Sequence, residues 1–203
     1  MSESVFGAPI YRYYLDPTKI KKFAEEKFSK NKDLPLDGTP PGWGCKLRTE
    51  FESAHLNPYK DYYDDIMHKF TVDVGVSNCK CNIYETWLNY YEGPGHFQEE
   101  HDHLPGFYSG IHYIKFDPEV HSQTQFVNPL HQMYTFMNWD IEFEDHDDST
   151  KQFWAPDTKE GDIIIFPSFL RHMVPVSHHT DARITLAFNI NTINGSTRRV
   201  FRK

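Results

Sequence analysis

After Cys79 the chain falls into short alternating or apolar runs separated by turn residues: NIYETWLNYY, FYSGIHYIKF, TQFVNP, YTFMNWDIEF, QFWAP, GDIIIFP, MVPVS and RITLAFNIN. Period-two alternation with regular turn punctuation predicts roughly eight strands in a β-sandwich or barrel rather than βαβ units. The first third reads differently. Residues 5 to 13 look extended, and LDPTKIKKFAEEKFSKN then sets Ile20, Phe23, Ala24 and Phe28 at helical spacing. Asp16 is placed as N-cap and Pro17 at the first helical position. KDLPLDGTPPGWG, from Lys32 to Gly44, is rich in Pro and Gly and predicts a loop. A second helix is expected from about Asn57-Pro58, with Tyr59, Tyr63, Ile66 and Phe70 on one side, ending by Gly75, which suits a left-handed cap.

The predicted organisation is a single domain over residues 1–203. A helical part at 1–78 supplies two helices packed on one outer face of a mainly β core at 79–195, and a basic tail closes the chain at 196–203. A length of 203 residues with 38% apolar content supports one substantial core. Aromatic residues at 16% favour strands and an aromatic-lined cavity over a helical bundle, with Tyr108, Tyr113, Phe126 and Trp139 as candidate cavity walls or core.

A formal charge of −8, with basic residues clustered only at Arg198-Arg199-Val200-Phe201-Arg202-Lys203, argues against duplex nucleic acid as a partner. Cys45, Cys79 and Cys81 cannot all pair and form no CxxC, so they read as reduced thiols. The N-terminus MSESVFGAPI has no basic region followed by an apolar stretch, and no apolar run approaches the length of a membrane span. A soluble, cytoplasmic protein without a membrane partner is expected.

Candidate chemistry concentrates in WLNYYEGPGHFQEEHDHLPGFYSGIHYI. On an extended strand His101 and His103 project from one face, which makes a two-ligand metal clip. Glu99, Glu100 and Asp102 crowd negative charge beside it, and Ser109-Gly110 lets the chain bend closely into the next strand. A third ligand comes best from His172, which ends the apolar run GDIIIFPSFLRH. Three protein ligands leave positions open on an octahedral ferrous ion, whereas a closed structural zinc site takes four. Neutral imidazoles suit Fe(II) and equally accept zinc, nickel or copper, so ligand type leaves the metal open. The other histidines read differently: His55, His68, His121, His131, His146, His178 and His179 as surface groups, His96 as a loop residue, and His112 as a core or cavity-lining group.

Arg183 and Thr185 share a face of the otherwise apolar strand RITLAFNI. A buried arginine needs a partner, and a guanidinium fork with an adjacent hydroxyl forms a grip for the far carboxylate of a dicarboxylic acid.

With these residues in view, WLNYYEGPGHFQEEHDHLPGFYSGIHYIKF and GDIIIFPSFLRHMVPVSHHTDARITLAFNI resemble the Fe(II)- and 2-oxoglutarate-dependent oxygenases, more narrowly a bacterial and phage branch with a His-x-His clip. The resemblance covers about residues 80 to 195. It implies a double-stranded β-helix of jelly-roll, cupin-like type and a dioxygenase, most simply a hydroxylase, that uses Fe(II), 2-oxoglutarate and O2. It places His101, His103 and His172 on the metal, Arg183 and Thr185 on the distal carboxylate of 2-oxoglutarate, and Asn89 and Tyr91 as second contacts to cosubstrate or substrate. The superfamily's usual clip is His-x-Asp or His-x-Glu; here His103 holds the second position, and Asp102 points to the opposite face. An all-imidazole site lacks the carboxylate's charge and would meet a dianionic cosubstrate differently. The substrate is unidentified, a small metabolite or a peptidyl side chain. The alternatives are a cupin-like metal-binding protein without turnover and a three-His cupin dioxygenase that uses no keto acid.

Overall fold

The computed structural model describes residues 2–30, 45–46, 48–53, 60–76, 78–131 and 151–194. Strands β1 (Ser2–Val5) and β2 (Ala8–Tyr14) lead into helix α1 (Thr18–Lys30). Strands β3 (Cys45–Lys46) and β4 (Arg48–Ser53), a 3-10 turn (Lys60–Tyr63) and helix α2 (Asp64–Asp73) complete the first third. Then follow β5 (Cys79–Tyr91), β6 (Phe97–His101), β7 (Tyr108–Lys115), β8 (Gln125–Val127), β9 (Phe153–Trp154), β10 (Asp162–Pro167), β11 (His172–Val174) and β12 (Arg183–Asn194).

These strands form two antiparallel sheets, one of seven strands in the order β1-β2-β10-β7-β12-β5-β4 and one of five in the order β3-β6-β11-β8-β9. The alternation along β12 assigns the two faces of the larger sheet. Ile184, Leu186, Phe188 and Ile190 join a cluster with Ile20 and Ala24 of α1 and Ile66, Met67 and Phe70 of α2. A second cluster, with Ile111, Tyr113, Ile164 and Phe166 from the large sheet and Phe126 from the small one, fills the space between the sheets. Arg183, Thr185 and Ala187, the residues in between, line a cavity on that inner side. Burying one apolar row beneath helices and the alternate row between sheets is the arrangement that lets a strand carry chemistry on one face.

The first 78 residues, expected to be helical, also contribute β1 to β4, with β2 and β4 flanking the core of the large sheet. The helix signals otherwise operate as the chain suggests. Asp16 Oδ1 accepts from the backbone N–H of Thr18 at 3.0 Å, and Gly75 takes a φ of 75° just past α2. The predicted strand YTFMNWDIEF, Trp139, the Lys32–Gly44 loop, Tyr59, His55, His146 and the basic tail lie outside the described residues. Ser109 and Gly110 sit within β7 and make no bend. Gly110 is required there because a Cβ would meet the Phe188 ring at 2.3 Å. No helix among the described residues is long and apolar enough to cross a membrane.

Candidate metal centre

Three imidazoles from distant parts of the chain meet at one point. Strand β6 ends at His101, β11 begins at His172, and the two residues are direct partners across the antiparallel ladder. His103 lies past the strand end, so the two members of the clip do not share one strand as their spacing predicts. A loop carries His103 instead, with its N–H donating to the Ser168 carbonyl at 2.9 Å. Gly106 completes this contact, since a Cβ there would lie 2.8 Å from Ser168 Oγ. Ring centroids are 5.1 Å apart for His101 and His103, 4.3 Å for His101 and His172, and 5.0 Å for His103 and His172. One ligating nitrogen from each ring lies within 4.8 Å of the other two.

Hydrogen bonding on the far side of each ring fixes which nitrogen that is. The Nδ1 atoms face the Glu99 carbonyl at 2.7 Å (His101), Asn189 Oδ1 at 2.8 Å (His103) and the Leu170 carbonyl at 3.2 Å (His172). Carbonyl oxygens only accept, so each Nδ1 carries the proton and each Nε2 presents a lone pair. Burial holds His101 down to about 4, with the neighbouring His103 adding to the effect. His103 is lowered chiefly by burial, and His172 falls well below the ordinary value through burial and the two adjacent imidazoles. All three are therefore neutral near pH 7, the protonation state that a metal requires.

Asp102 is not part of the cluster: its Oδ1 accepts from the Leu104 N–H at 3.2 Å in the following turn. Glu100 pairs with Arg171 at 3.1 Å, so part of the acidic crowding beside the clip is neutralised at the surface.

The imidazoles open onto a narrow cavity that communicates with solvent. His101, His103, His172, Arg183, Thr185, Asn89 and Tyr91 all line it. Cross-strand pairing explains the convergence, because Arg183 stands opposite Tyr91 and Thr185 opposite Asn89 in the β12–β5 ladder. Arg183 is 3% exposed, and its guanidinium carbon lies 4.5 Å from the Tyr91 ring centroid, 5.5 Å from Tyr113 and 5.7 Å from Phe116. Its Nη2 donates to Thr124 Oγ1 at 3.1 Å. The Nε and Nη1 atoms, and the hydroxyl of Tyr113, are buried with no hydrogen-bond partner. Leaving a buried donor unmet costs about 1–3 kcal/mol, more for a charged one. Two such donors on one guanidinium, beside a cavity, fit a carboxylate that the described residues do not supply. The donor chemistry thus matches both a divalent metal at the imidazoles and a dicarboxylic acid reaching Arg183.

Tyr113, like Tyr108 and Phe126, belongs to the core, with its ring 5.5 Å from the Arg183 guanidinium carbon. His121, expected at the surface, is 7% exposed. It accepts at Nδ1 from the Asp117 N–H at 2.9 Å, donates from Nε2 to the Asp181 carbonyl at 3.2 Å, and packs on Phe116 behind the Arg183 cage. His112 is a core residue: Tyr63 Oη lies 2.8 Å from its Nδ1, and Nε2 donates to the Leu15 carbonyl at 3.0 Å. His96 lies in the loop before β6 and is buried, with its Nδ1 accepting from the Glu92 N–H at 3.1 Å.

Asn189 and Glu85 escaped the sequence reading. The alternation that singled out Arg183 and Thr185 continues through Ala187 to Asn189, and on β5 that of Tyr91 and Asn89 continues through Trp87 to Glu85, so the signal was present.

The family model described as "Putative 2OG-Fe(II) oxygenase" matches residues 85–189. No curated protein matches the sequence. Among solved structures, a prolyl-4-hydroxylase from Pseudomonas putida is 13% identical, with a TM-score of 0.55 over 90% of this chain and 91% of that one. EctD from S. alaskensis, solved with bound Fe, is 15% identical, with a TM-score of 0.61 over 90% and 72%. The viral collagen prolyl hydroxylase of Paramecium Bursaria Chlorella virus-1, solved as a 2OG complex, is 12% identical, with a TM-score of 0.52 over 89% and 94%. These likenesses show a shared double-stranded β-helix fold.

Proposed function

The chain belongs to the 2OG-Fe(II) oxygenase family and is a 2-oxoglutarate-dependent Fe(II) oxygenase, and on that premise we propose that it hydroxylates a C–H group of a small metabolite or a peptidyl side chain. His101, His103 and His172 hold the iron through Nε2. Arg183, with Thr185 and the Tyr113 hydroxyl, holds the distal carboxylate of 2-oxoglutarate. The bound iron, with 2-oxoglutarate and dioxygen, supplies oxidative decarboxylation to succinate and carbon dioxide coupled to oxidation of the substrate C–H bond. The protein's share is orientation and shelter.

Each residue's part follows from its position. The three Nδ1–H bonds lock the imidazoles with their lone pairs converging. Tyr91 supports the guanidinium by a cation–π contact while its own hydroxyl donates to Gln98 Oε1 at 2.9 Å, so the arginine is oriented before any ligand arrives. Asn89 accepts from Thr49 Oγ1 at 3.1 Å, which fixes its amide against the cavity as a second polar contact. Trp87, Ile111, Val174 and Ala187 give the wall its apolar part.

One observation carries this reading: a buried arginine with two unmet donors opens onto the same cavity as three converging imidazoles. The same observation disfavours a three-His dioxygenase that uses no keto acid, in which Arg183 would have no ligand. We also take residues 1–203 as a single domain, since β2 and β4 of the first third are built into the sheet that bears Arg183. The test is succinate and carbon dioxide release from 2-oxoglutarate in the presence of Fe(II) and ascorbate. Metal binding without any release under all conditions would favour a binding protein.

A further inference from the structure

The ligand set is three neutral imidazoles, so no negative charge touches the metal directly, yet a carboxylate stands one residue behind it. We propose that Glu85, acting through the Asn189 amide, supplies His103 with the negative charge that a coordinating carboxylate would otherwise provide, making both positioning residues of the metal centre. The inference rests on the assignment of His101, His103 and His172 as the ligands.

His101 and His172 lean on backbone carbonyls, and among the three rings His103 is the one whose Nδ1 meets a side chain. Asn189 Oδ1 accepts both from His103 Nδ1 at 2.8 Å and from Ser109 Oγ at 2.9 Å, and the same Ser109 oxygen lies 2.8 Å from Ser168 Oγ. The Asn189 Nδ2 donates to Glu85 Oε2 at 2.9 Å, and the amide also meets the hydroxyl of Tyr84. Glu85 as a carboxylate only accepts, so the amide cannot be turned the other way.

Backbone pairing sets this row. Asn189 is the register partner of Glu85 on one side and of Ser109 on the other, and all three side chains project toward the loop that carries His103. The β12–β5 ladder shifts register between Asn189 and Ile190, where a bulge ends the regular alternation just past Asn189.

A glutamine at position 85 would satisfy the Asn189 amide equally well. What the glutamate adds is charge. An anion accepting from one end of an amide strengthens the oxygen at the other end as an acceptor, and hydrogen bonds in such chains polarise one another. His103 Nδ1–H, held by the strengthened oxygen, becomes a more electron-rich ligand at Nε2. Partners of this kind behind a metal-bound imidazole typically change metal affinity by roughly 10- to 100-fold.

The experiment uses the full chain and Co(II), with affinity measured by competition against a chromophoric chelator and the site followed by the visible absorption of bound Co(II). Glu85→Gln keeps the hydrogen bond and removes the charge; it is expected to weaken Co(II) binding roughly tenfold without changing the unfolding temperature of the metal-free protein. Adding Asn189→Asp to Glu85→Gln moves the charge onto the direct partner of His103 and keeps a hydrogen bond between the two substituted side chains, now donated by the new amide to the new carboxylate. This double variant should recover the lost affinity. Wild-type affinity in Glu85→Gln overturns the relay, as does a loss that the double variant fails to recover. A wild-type chain that takes up no Co(II) overturns the ligand assignment itself, a result distinct from failure of the relay alone.

Discussion

Arg183 and Tyr91 face one another across the β12–β5 ladder, with the guanidinium carbon 4.5 Å from the centre of the phenol ring and no acid among the described residues at Nε or Nη1. A cation this deeply buried is held by aromatic faces and by one hydroxyl, Thr124, until a carboxylate arrives. Arg183→Ala should weaken 2-oxoglutarate binding by about 3 kcal/mol, roughly a hundredfold, because the carboxylate would then lack its charged partner. Arg183→Lys keeps the charge without the fork and should fall in between. Calorimetric titration of the metal-loaded protein with 2-oxoglutarate reads both variants, and Co(II) affinity should be unchanged in each.

Tyr113 offers a test in which two effects have opposite sign. Its hydroxyl is buried without a partner. Tyr113→Phe removes an unmet polar group, so the ligand-free protein should be as stable as wild type, or more stable by up to about 1 kcal/mol. The same change removes a donor to the carboxylate and should weaken 2-oxoglutarate binding by about 1 kcal/mol, roughly fivefold. Denaturant unfolding of the ligand-free protein and titration with 2-oxoglutarate measure the two effects.

Metal binding should stabilise the native chain by mass action. At a free metal concentration about a hundred times Kd the gain is about 2.7 kcal/mol, which corresponds to a rise in Tm of about 5 to 10 °C for a chain of this size. His172→Ala removes the most buried of the three ligands and should abolish that rise, as should a chelator. Thermal unfolding scans with and without Ni(II) or Co(II) decide it.

His112 predicts an acid-sensitive step in stability that is independent of the metal. Burial pushes its folded value down to about 4 from 6.5, so the unfolded chain takes up a proton at a higher pH than the folded one. The stability contributed by neutral His112 is complete above about pH 6.5 and is lost as pH falls from there through 4. Between about pH 7.5 and about pH 5 the loss is about 2 kcal/mol. His112→Gln can still accept from Tyr63 and donate to the Leu15 carbonyl, and its stability should fall less over the same interval by about that amount, as measured by urea unfolding at the two pH values.

The face of β12 was readable in the sequence because side chains alternate strictly along a strand, which put Arg183 and Thr185 on one side, whereas Asn89 and Tyr91 came from the family resemblance. The pairing that sets Arg183 against Tyr91 was not readable, since register is fixed by contacts between segments far apart in the chain. His103 shows the same division. Its spacing from His101 suggested a shared strand face; the ring does reach the common point, but from a loop anchored to Ser168 and Asn189. His121 misled because polar neighbours in sequence gave no sign of Phe116 packing against it. The strands β3 and β4 were invisible because short edge segments carry too few residues for an alternating pattern to emerge.

Locating the metal tests the shared site of iron and cosubstrate most directly. A crystal of the full chain, grown or soaked without oxygen in Fe(II) and 2-oxoglutarate, should give one strong anomalous peak at the iron edge between the Nε2 atoms of His101, His103 and His172. Density for the cosubstrate should run from that peak to the Arg183 guanidinium. No peak at the three imidazoles, or a cosubstrate bound away from Arg183, would contradict this assignment.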